Sequence, residues 1–134
     1  MTKEDKLVDA VRRSDIPQMV KQLAAGAKID DKEGRMLRET PLVASAIVDD
    51  TNAFFFLLSN GANVNAPAHN GVTPLMQALL LGDSNLSRIN ALISAGANVN
   101  ATNDKGRSVL AQAKAVPGSD ATIKTLIAAG AREK

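Results

Sequence analysis

The sequence has no cysteine, tryptophan or tyrosine, and it has a single histidine, His69. Without cysteine the chain can form neither a disulfide framework nor a thiolate metal site. Its three phenylalanines are too few to supply a stacking platform for nucleic-acid bases. We therefore expect a core of aliphatic residues and alanine, in a protein suited to a reducing compartment.

Long apolar runs are also missing. No stretch approaches the roughly 18 uninterrupted apolar residues of a membrane-spanning helix, and residues 1–7 contain no apolar run that could form the core of a signal peptide. At 134 residues, 45% apolar and 22% charged, the composition is typical of one soluble globular domain. We expect a cytoplasmic protein that does not contact a membrane.

The net charge of +2 is unevenly distributed along the chain. Residues 1–38 carry nine basic and seven acidic side chains, residues 39–104 carry one and five, and residues 105–134 carry six and two. The acidic middle would repel phosphates, so we expect no nucleic-acid binding despite the adjacent Arg12 and Arg13.

The sequence contains no grouping of residues that is typical of a catalytic or metal-binding site. His69 has no cysteine or serine motif near it, and no phosphate-binding or dinucleotide-binding glycine pattern occurs. The adjacent carboxylates of residues 30–31 and 49–50 point apart, because consecutive residues do not share a face. We therefore predict that the protein is not an enzyme and binds no cofactor or metal.

Four Gly-Ala pairs divide the chain at regular intervals. They begin at Gly26, Gly61, Gly96 and Gly130, which are 35, 35 and 34 residues apart. The last three follow apolar residues with the i, i+3, i+4 spacing of one helix face. Glycine is common just after the last turn of a helix because it adopts positive φ freely. The spacing predicts four units that each end in a helix.

Three of the units open with a shared motif. Thr40-Pro41-Leu42 and Thr73-Pro74-Leu75 place a capping hydroxyl before a proline at the first helical position. Residues 108–110 keep the hydroxyl and the leucine. This order of turn, helix, loop, helix and glycine resembles the ankyrin repeat, which opens with Thr-Pro-Leu-His-x-Ala and has a period of about 33 residues.

The resemblance implies an all-α solenoid of four helix-turn-helix units with β-hairpin-like finger loops. The units would cover residues 1–29 as an N-terminal cap, 30–64, 65–99, and 100–134 as a C-terminal cap. Relative to the family period, extra residues fall at 32–38, around 82–84 and near 117–119.

The sequence departs from the family where the motif histidine is expected. Val43, Met76 and Ala111 occupy those positions, so stacking should depend more on apolar packing and on hydrogen bonds from Asn65 and Asn100 to the backbone of the hairpin.

The resemblance also implies that a partner protein binds the concave face formed by the first helices and the fingers. The ends of the first helices are apolar where the family is usually polar, at Ile47, Val48, Leu80, Leu81, Ala115 and Val116. The first four are the candidate partner-binding residues. Two alternatives remain open for these four residues, which we call the apolar ladder. Either they form an exposed binding surface, or the lengthened loops extend the helices and bury them.

The finger tips offer polar contacts. The candidate binding residues there are Arg35, Arg38, His69, Asn70, Lys105 and Arg107. Turn tips are solvated by default, but as a set facing one way they would determine specificity, and the arginines could pair with an acidic partner.

The three phenylalanines are consecutive, at residues 54–56. Phe54 is predicted to be core by its periodicity. Phe55 lies where the family usually has an exposed charged residue, so it either packs back against the third unit or contacts a partner on the convex side.

The leading hypothesis is therefore a monomeric protein-binding scaffold. One alternative is an inhibitor or immunity protein that blocks a cognate enzyme or toxin, for which the acidic middle would suit a basic target. The other is a structural homodimer that associates through Phe55.

Overall fold

The computed structural model describes residues 2–32 and 38–132. Within these ranges the architecture is all-α, as predicted, with eight α-helices in four consecutive pairs and no β-strand. The helices are α1 (Lys3–Arg12), α2 (Ile16–Ala24), α3 (Pro41–Ser45), α4 (Asn52–Ser59), α5 (Pro74–Ala78), α6 (Leu86–Ser94), α7 (Val109–Lys114) and α8 (Asp120–Ala128). Two 3-10 helices, His69–Gly71 and Leu79–Asn85, complete the described structure.

The helix pairs stack in chain order to form a solenoid. The first helices of the pairs, which we call the inner helices, contact one another in the succession α1, α3, α5 and α7. Among the second helices, the outer helices, α2 contacts α4 and α6 contacts α8. None of the helices in the described part of the chain is both long and apolar enough to cross a membrane.

The opening motif starts three of the first helices as predicted. The hydroxyls of Thr40, Thr73 and Ser108 accept hydrogen bonds from the backbone N–H three residues later, at 3.2, 3.3 and 3.1 Å. Pro41 and Pro74 occupy the first helical positions, where their missing N–H leaves no hydrogen bond unmade. The motif therefore acts through local capping in each unit.

The core runs the length of the solenoid and is almost wholly aliphatic. Phe54 is fully buried, as its periodicity predicts. Val43 and Met76, which replace the family histidine, are also buried, so apolar packing takes the place of the histidine hydrogen bonds. The other large side chains that are buried completely or nearly so are Leu7, Met19, Leu42, Leu57, Leu75, Leu79, Ile89, Leu92 and Leu126.

A row of Asx side chains links the ends of the helix pairs. The Asn65 side chain accepts a hydrogen bond from the Asn98 N–H at 2.7 Å and donates one to the Gly96 carbonyl at 3.2 Å. Asn100 makes the same two contacts one pair later, at 2.9 and 3.1 Å. Asp30 makes the accepting contact alone, at 2.7 Å. Asn65 and Asn100 therefore bond to backbone as predicted, but the backbone lies just after the second helix of the following pair and not in the hairpin.

Asp83 caps a helix of the next pair. Its carboxylate accepts hydrogen bonds from the N–H groups of Ala121 and Thr122 at 3.2 and 2.8 Å and from the Thr122 hydroxyl at 2.8 Å. Its own N–H donates to the Gly118 carbonyl at 2.9 Å. Gly82 permits this approach, since it has φ 58° and a Cβ there would lie 2.9 Å from the Gly118 oxygen. The extra residues of the third and fourth units therefore contact each other.

These hydrogen bonds make the stability of the protein depend on the charge of Asp83. The Thr122 N–H, followed by the Thr122 hydroxyl, holds the pKa of Asp83 below its ordinary value of 3.8, against the opposing effect of burial. A carboxyl whose pKa is lower in the folded state contributes stability above the unfolded pKa and loses it as pH falls through the folded pKa.

We therefore predict that Asp83→Asn lowers the free energy of unfolding at neutral pH, because asparagine keeps an acceptor oxygen but not the charge at the start of α8. The difference in free energy of unfolding between the variant and the wild type should become smaller as pH falls below 3.8, the ordinary pKa, because Asp83 then becomes protonated in the folded wild type as well. Urea denaturation over this pH range measures the effect. Asp31→Asn, on an exposed loop, is the matched control, and a gap that does not change with pH would contradict the prediction.

Candidate functional site: the inner helix ends and the finger loops

The apolar ladder divides into two parts. Leu80 and Leu81 are 51% and 41% exposed, whereas Ile47 and Val48 are half-buried. The 3-10 helix Leu79–Asn85 does extend α5, but Leu79 takes the fully buried position and the next two leucines face outward. The alternative in which the lengthened loop buries all four residues is therefore wrong for Leu80 and Leu81.

The finger loops are joined to one another through their backbones. The His69 N–H donates to the Arg38 carbonyl at 3.2 Å, and the Asp104 N–H donates to the Asn70 carbonyl at 3.0 Å. Arg38 and Asn70 accommodate these turns with positive φ values of 49° and 67°. The described parts of the three fingers are thus joined in sequence through their backbones. Arg35 lies outside the described residues.

The candidate finger residues in the described ranges are solvent-exposed. They are Arg38, His69, Asn70, Lys105 and Arg107. Asn103 stabilises the last finger. Its side-chain oxygen accepts hydrogen bonds from the backbone N–H groups of Lys105 and Arg107 at 2.9 and 3.0 Å. The backbone at Arg107 is therefore held in place while its guanidinium faces solvent.

A groove of about 420 Å³ lies between the third and fourth helix pairs and brings Leu80 and Arg107 together. Ile47, Val48 and Phe55 do not line it. Its walls come from the ends of α5 and α7 and from the fingers that precede them. The lining residues are Val72, Gln77, Leu80, Asn103, Arg107, Gln112, Ala115 and Val116.

Polar side chains tie the inner helices together beside this groove. Glu39 accepts hydrogen bonds from the Arg12 guanidinium at 2.8 Å and from the Gln77 amide at 3.2 Å. The Gln112 amide donates to the Met76 carbonyl at 2.6 Å. Sequence reasoning missed this connection because its members are widely separated along the chain.

A buried arginine holds the turn that carries Ile47 and Val48. Arg88 on α6 is 4% exposed. Its guanidinium donates to the carbonyls of Ser45 and Val48 at 2.8 and 2.6 Å and to the Asn85 side chain at 2.6 Å. Burial lowers the pKa of Arg88, and the negative charge of Asp49 opposes that shift.

Asn85 completes this buried cluster by donating to the carbonyls of Ala46 and Ala78 at 2.9 and 3.0 Å. The signal for the cluster was present in the sequence. Asn85, Arg88 and Ile89 lie on the same helical face as the core residue Leu92, so two polar side chains interrupt an apolar pattern.

We predict that Arg88→Met lowers the free energy of unfolding by about 2–4 kcal/mol, because each buried carbonyl left without a donor costs about 1–3 kcal/mol. Urea denaturation measures the change. Lys124→Met, which removes a charge from an exposed position on α8, should have little effect. Equal stability of the two variants would show that Arg88 does not support the turn.

The described side chains form no cluster suited to holding a metal ion. His69 is exposed at a finger tip, and no group of three or more His, Cys, Asp or Glu in residues 2–32 and 38–132 is placed to hold a metal ion.

Two comparisons place the chain among known proteins. A family model described as "Ankyrin repeats (3 copies)" matches residues 7–103 and 49–133. The chain is also similar to human "Arf-GAP with coiled-coil, ANK repeat and PH domain-containing protein 2" and to its counterpart in Oryctolagus cuniculus. Each is 34% identical over 77 residues, which cover 58% of this chain and 10% of the relative. The matched segment therefore spans about a tenth of those proteins.

Proposed function

Because the chain belongs to the ankyrin-repeat family, whose repeats are generally protein–protein interaction modules, we propose that it binds a partner protein. The binding surface would comprise the ends of the inner helices and the finger loops. We call this the inner surface, and it includes Leu80, Leu81, the groove and the described finger tips. The observation that carries the proposal is the exposure of two adjacent leucines beside that groove.

Exposed leucines at this position favour binding over a structural role. Burying apolar surface contributes roughly 25 cal/mol per Å², and neither leucine obtains the full benefit within this chain. An aliphatic patch with an arginine at its edge resembles the central contacts of protein interfaces, which are apolar and enriched in arginine. The finger tips would surround this patch with polar contacts.

The family is generally non-enzymatic, and we propose that this chain acts by occupying or tethering its partner. An inhibitor that blocks a cognate enzyme would use the same surface. The two modes differ in the partner: an inhibitor's partner loses activity when bound, and a tethered partner keeps it.

We predict that the double substitution Leu80→Ser, Leu81→Ser abolishes partner capture and changes the free energy of unfolding by no more than about 1 kcal/mol, since both side chains are exposed. Affinity capture from an extract of the source cells, followed by mass spectrometry, measures binding. Circular dichroism and urea denaturation check the fold.

The control is Val20→Ser, Ile127→Ser, which removes two exposed aliphatic side chains from outer helices, 49% and 54% exposed. A protein retained by the wild type and by this control, but lost from the leucine variant, would support the inner surface. Retention by all three proteins would place the binding site elsewhere.

Phe55 supports a second candidate function, self-association. Its ring meets Phe54 edge-on with centroids 5.0 Å apart, and the side chain remains 39% exposed. A partly exposed aromatic residue on an outer helix can anchor a homodimer.

We predict that Phe55→Glu leaves the protein folded and, if the homodimer forms, converts it to a monomer, because a charge would be buried at the contact. Size-exclusion chromatography with light scattering gives the mass of both proteins. A wild type that is already monomeric rejects the homodimer.

A further inference from the structure

The groove between the third and fourth helix pairs has an asymmetric lining. Among the described residues, its apolar contacts come from Val72, Leu80, Ala115 and Val116, and Arg107 is the one ionisable residue that lines it. No acidic residue of ranges 2–32 and 38–132 lines it. The groove therefore presents aliphatic surface together with a positive charge.

The polar residues that line the groove already make hydrogen bonds within the protein, and these bonds determine which of their donor and acceptor groups remain for a ligand. Gln77 and Gln112 both donate through their amide nitrogens to other parts of the chain, which leaves their side-chain oxygens as acceptors. Asn103 uses its oxygen to accept two backbone N–H groups, which leaves its amide nitrogen as a donor. The groove thus pairs acceptors on its helices with donors on the finger.

Arg107 makes no side-chain ion pair or hydrogen bond with any residue in the described ranges. It lies in the most basic part of the chain, since residues 105–134 carry six basic and two acidic side chains. A guanidinium at the edge of an apolar groove is suited to bidentate binding of a carboxylate, because removal of water strengthens the charge-assisted hydrogen bonds.

The acidic residues of the middle segment are mostly engaged within the protein. Glu39 binds Arg12 and Gln77, and Asp83 caps α8. Asp50 accepts the Asn52 N–H at 2.8 Å, and Asp49 acts electrostatically on Arg88. Asp104 lies in the same finger as Arg107 but does not line the groove. Asp49, Asp50 and Asp104 remain exposed to solvent, but none of the five acidic residues of this segment lines the groove.

We propose that the groove binds an acidic segment of the partner protein, in which an aspartate or glutamate pairs with Arg107 and a neighbouring leucine, isoleucine or valine packs on Leu80 and Val116. The inference rests on the proposed protein-binding function and specifies its partner. It favours the acidic partner proposed for the finger arginines over the basic target proposed for the acidic middle.

The test is selection from a phage-displayed library of random linear peptides on the immobilised wild-type protein. The enriched sequences should combine Asp or Glu with an adjacent aliphatic residue. The affinity of a synthetic enriched peptide, measured by fluorescence anisotropy, should fall at least about tenfold in Arg107→Gln, which removes a charge-assisted pair. Leu80→Ser should weaken binding by a similar factor because it removes the apolar contact.

Lys124→Gln is the matched control, since it removes the same charge from an exposed site on α8 and should leave peptide affinity unchanged. Added salt should weaken binding to the wild type more than to Arg107→Gln, because the variant has lost the ion pair. Circular dichroism confirms that each variant is folded.

Enrichment of basic peptides, enrichment of none, or an affinity insensitive to Arg107→Gln would overturn the inference. So would self-association of the wild type that Leu80→Ser abolishes, since a second copy would then occupy the groove. These outcomes are separable from the proposed function. If the leucine double variant loses a captured protein while the peptide selection fails, partner binding stands and only the acidic segment is rejected.

Discussion

Each helix pair in this protein depends on its neighbours to bury its apolar face. Helices α3 and α5 have five residues each, far fewer than the roughly 12–15 at which an isolated helix becomes even marginal in water. They persist because the leucine of the opening motif, Leu42 or Leu75, is almost completely buried in the stack. Contacts between consecutive pairs therefore stabilise the local structure as well as the solenoid.

The features that distinguish this chain lie where it departs from the regular period. The lengthened loops of the third and fourth units meet through Asp83 and Gly118. The same 3-10 segment that delivers Asp83 to α8 also turns Leu80 and Leu81 outward. One insertion therefore contributes a helix cap on one side and the apolar part of the candidate binding surface on the other.

Charge along the sequence is a poor guide to charge at the surface of this protein. The composition of the acidic middle predicts a negative binding face. In the structure, however, Glu39 and Asp83 accept hydrogen bonds that join helix pairs. Arg107, which belongs to a different segment, is left facing the groove. The charge that lines the groove therefore differs in sign from the net charge of the middle segment.

The sequence by itself determined the number of units, their order and most of the core. Helix capping, the glycines that end helices and apolar periodicity are local signals, and they recur every 34 or 35 residues. Phe54 and the Thr-Pro-Leu motifs could be placed from these signals alone. Tertiary structure decided that Leu80 and Leu81 are exposed, which groups Arg88 binds in the core, and that Arg107 lines the groove. Helical periodicity places Arg88 on the core face of α6, but it does not identify its partners, the carbonyls of Ser45 and Val48, which lie 43 and 40 positions away. Nor does it predict the path of the irregular loop that leaves Leu80 and Leu81 exposed.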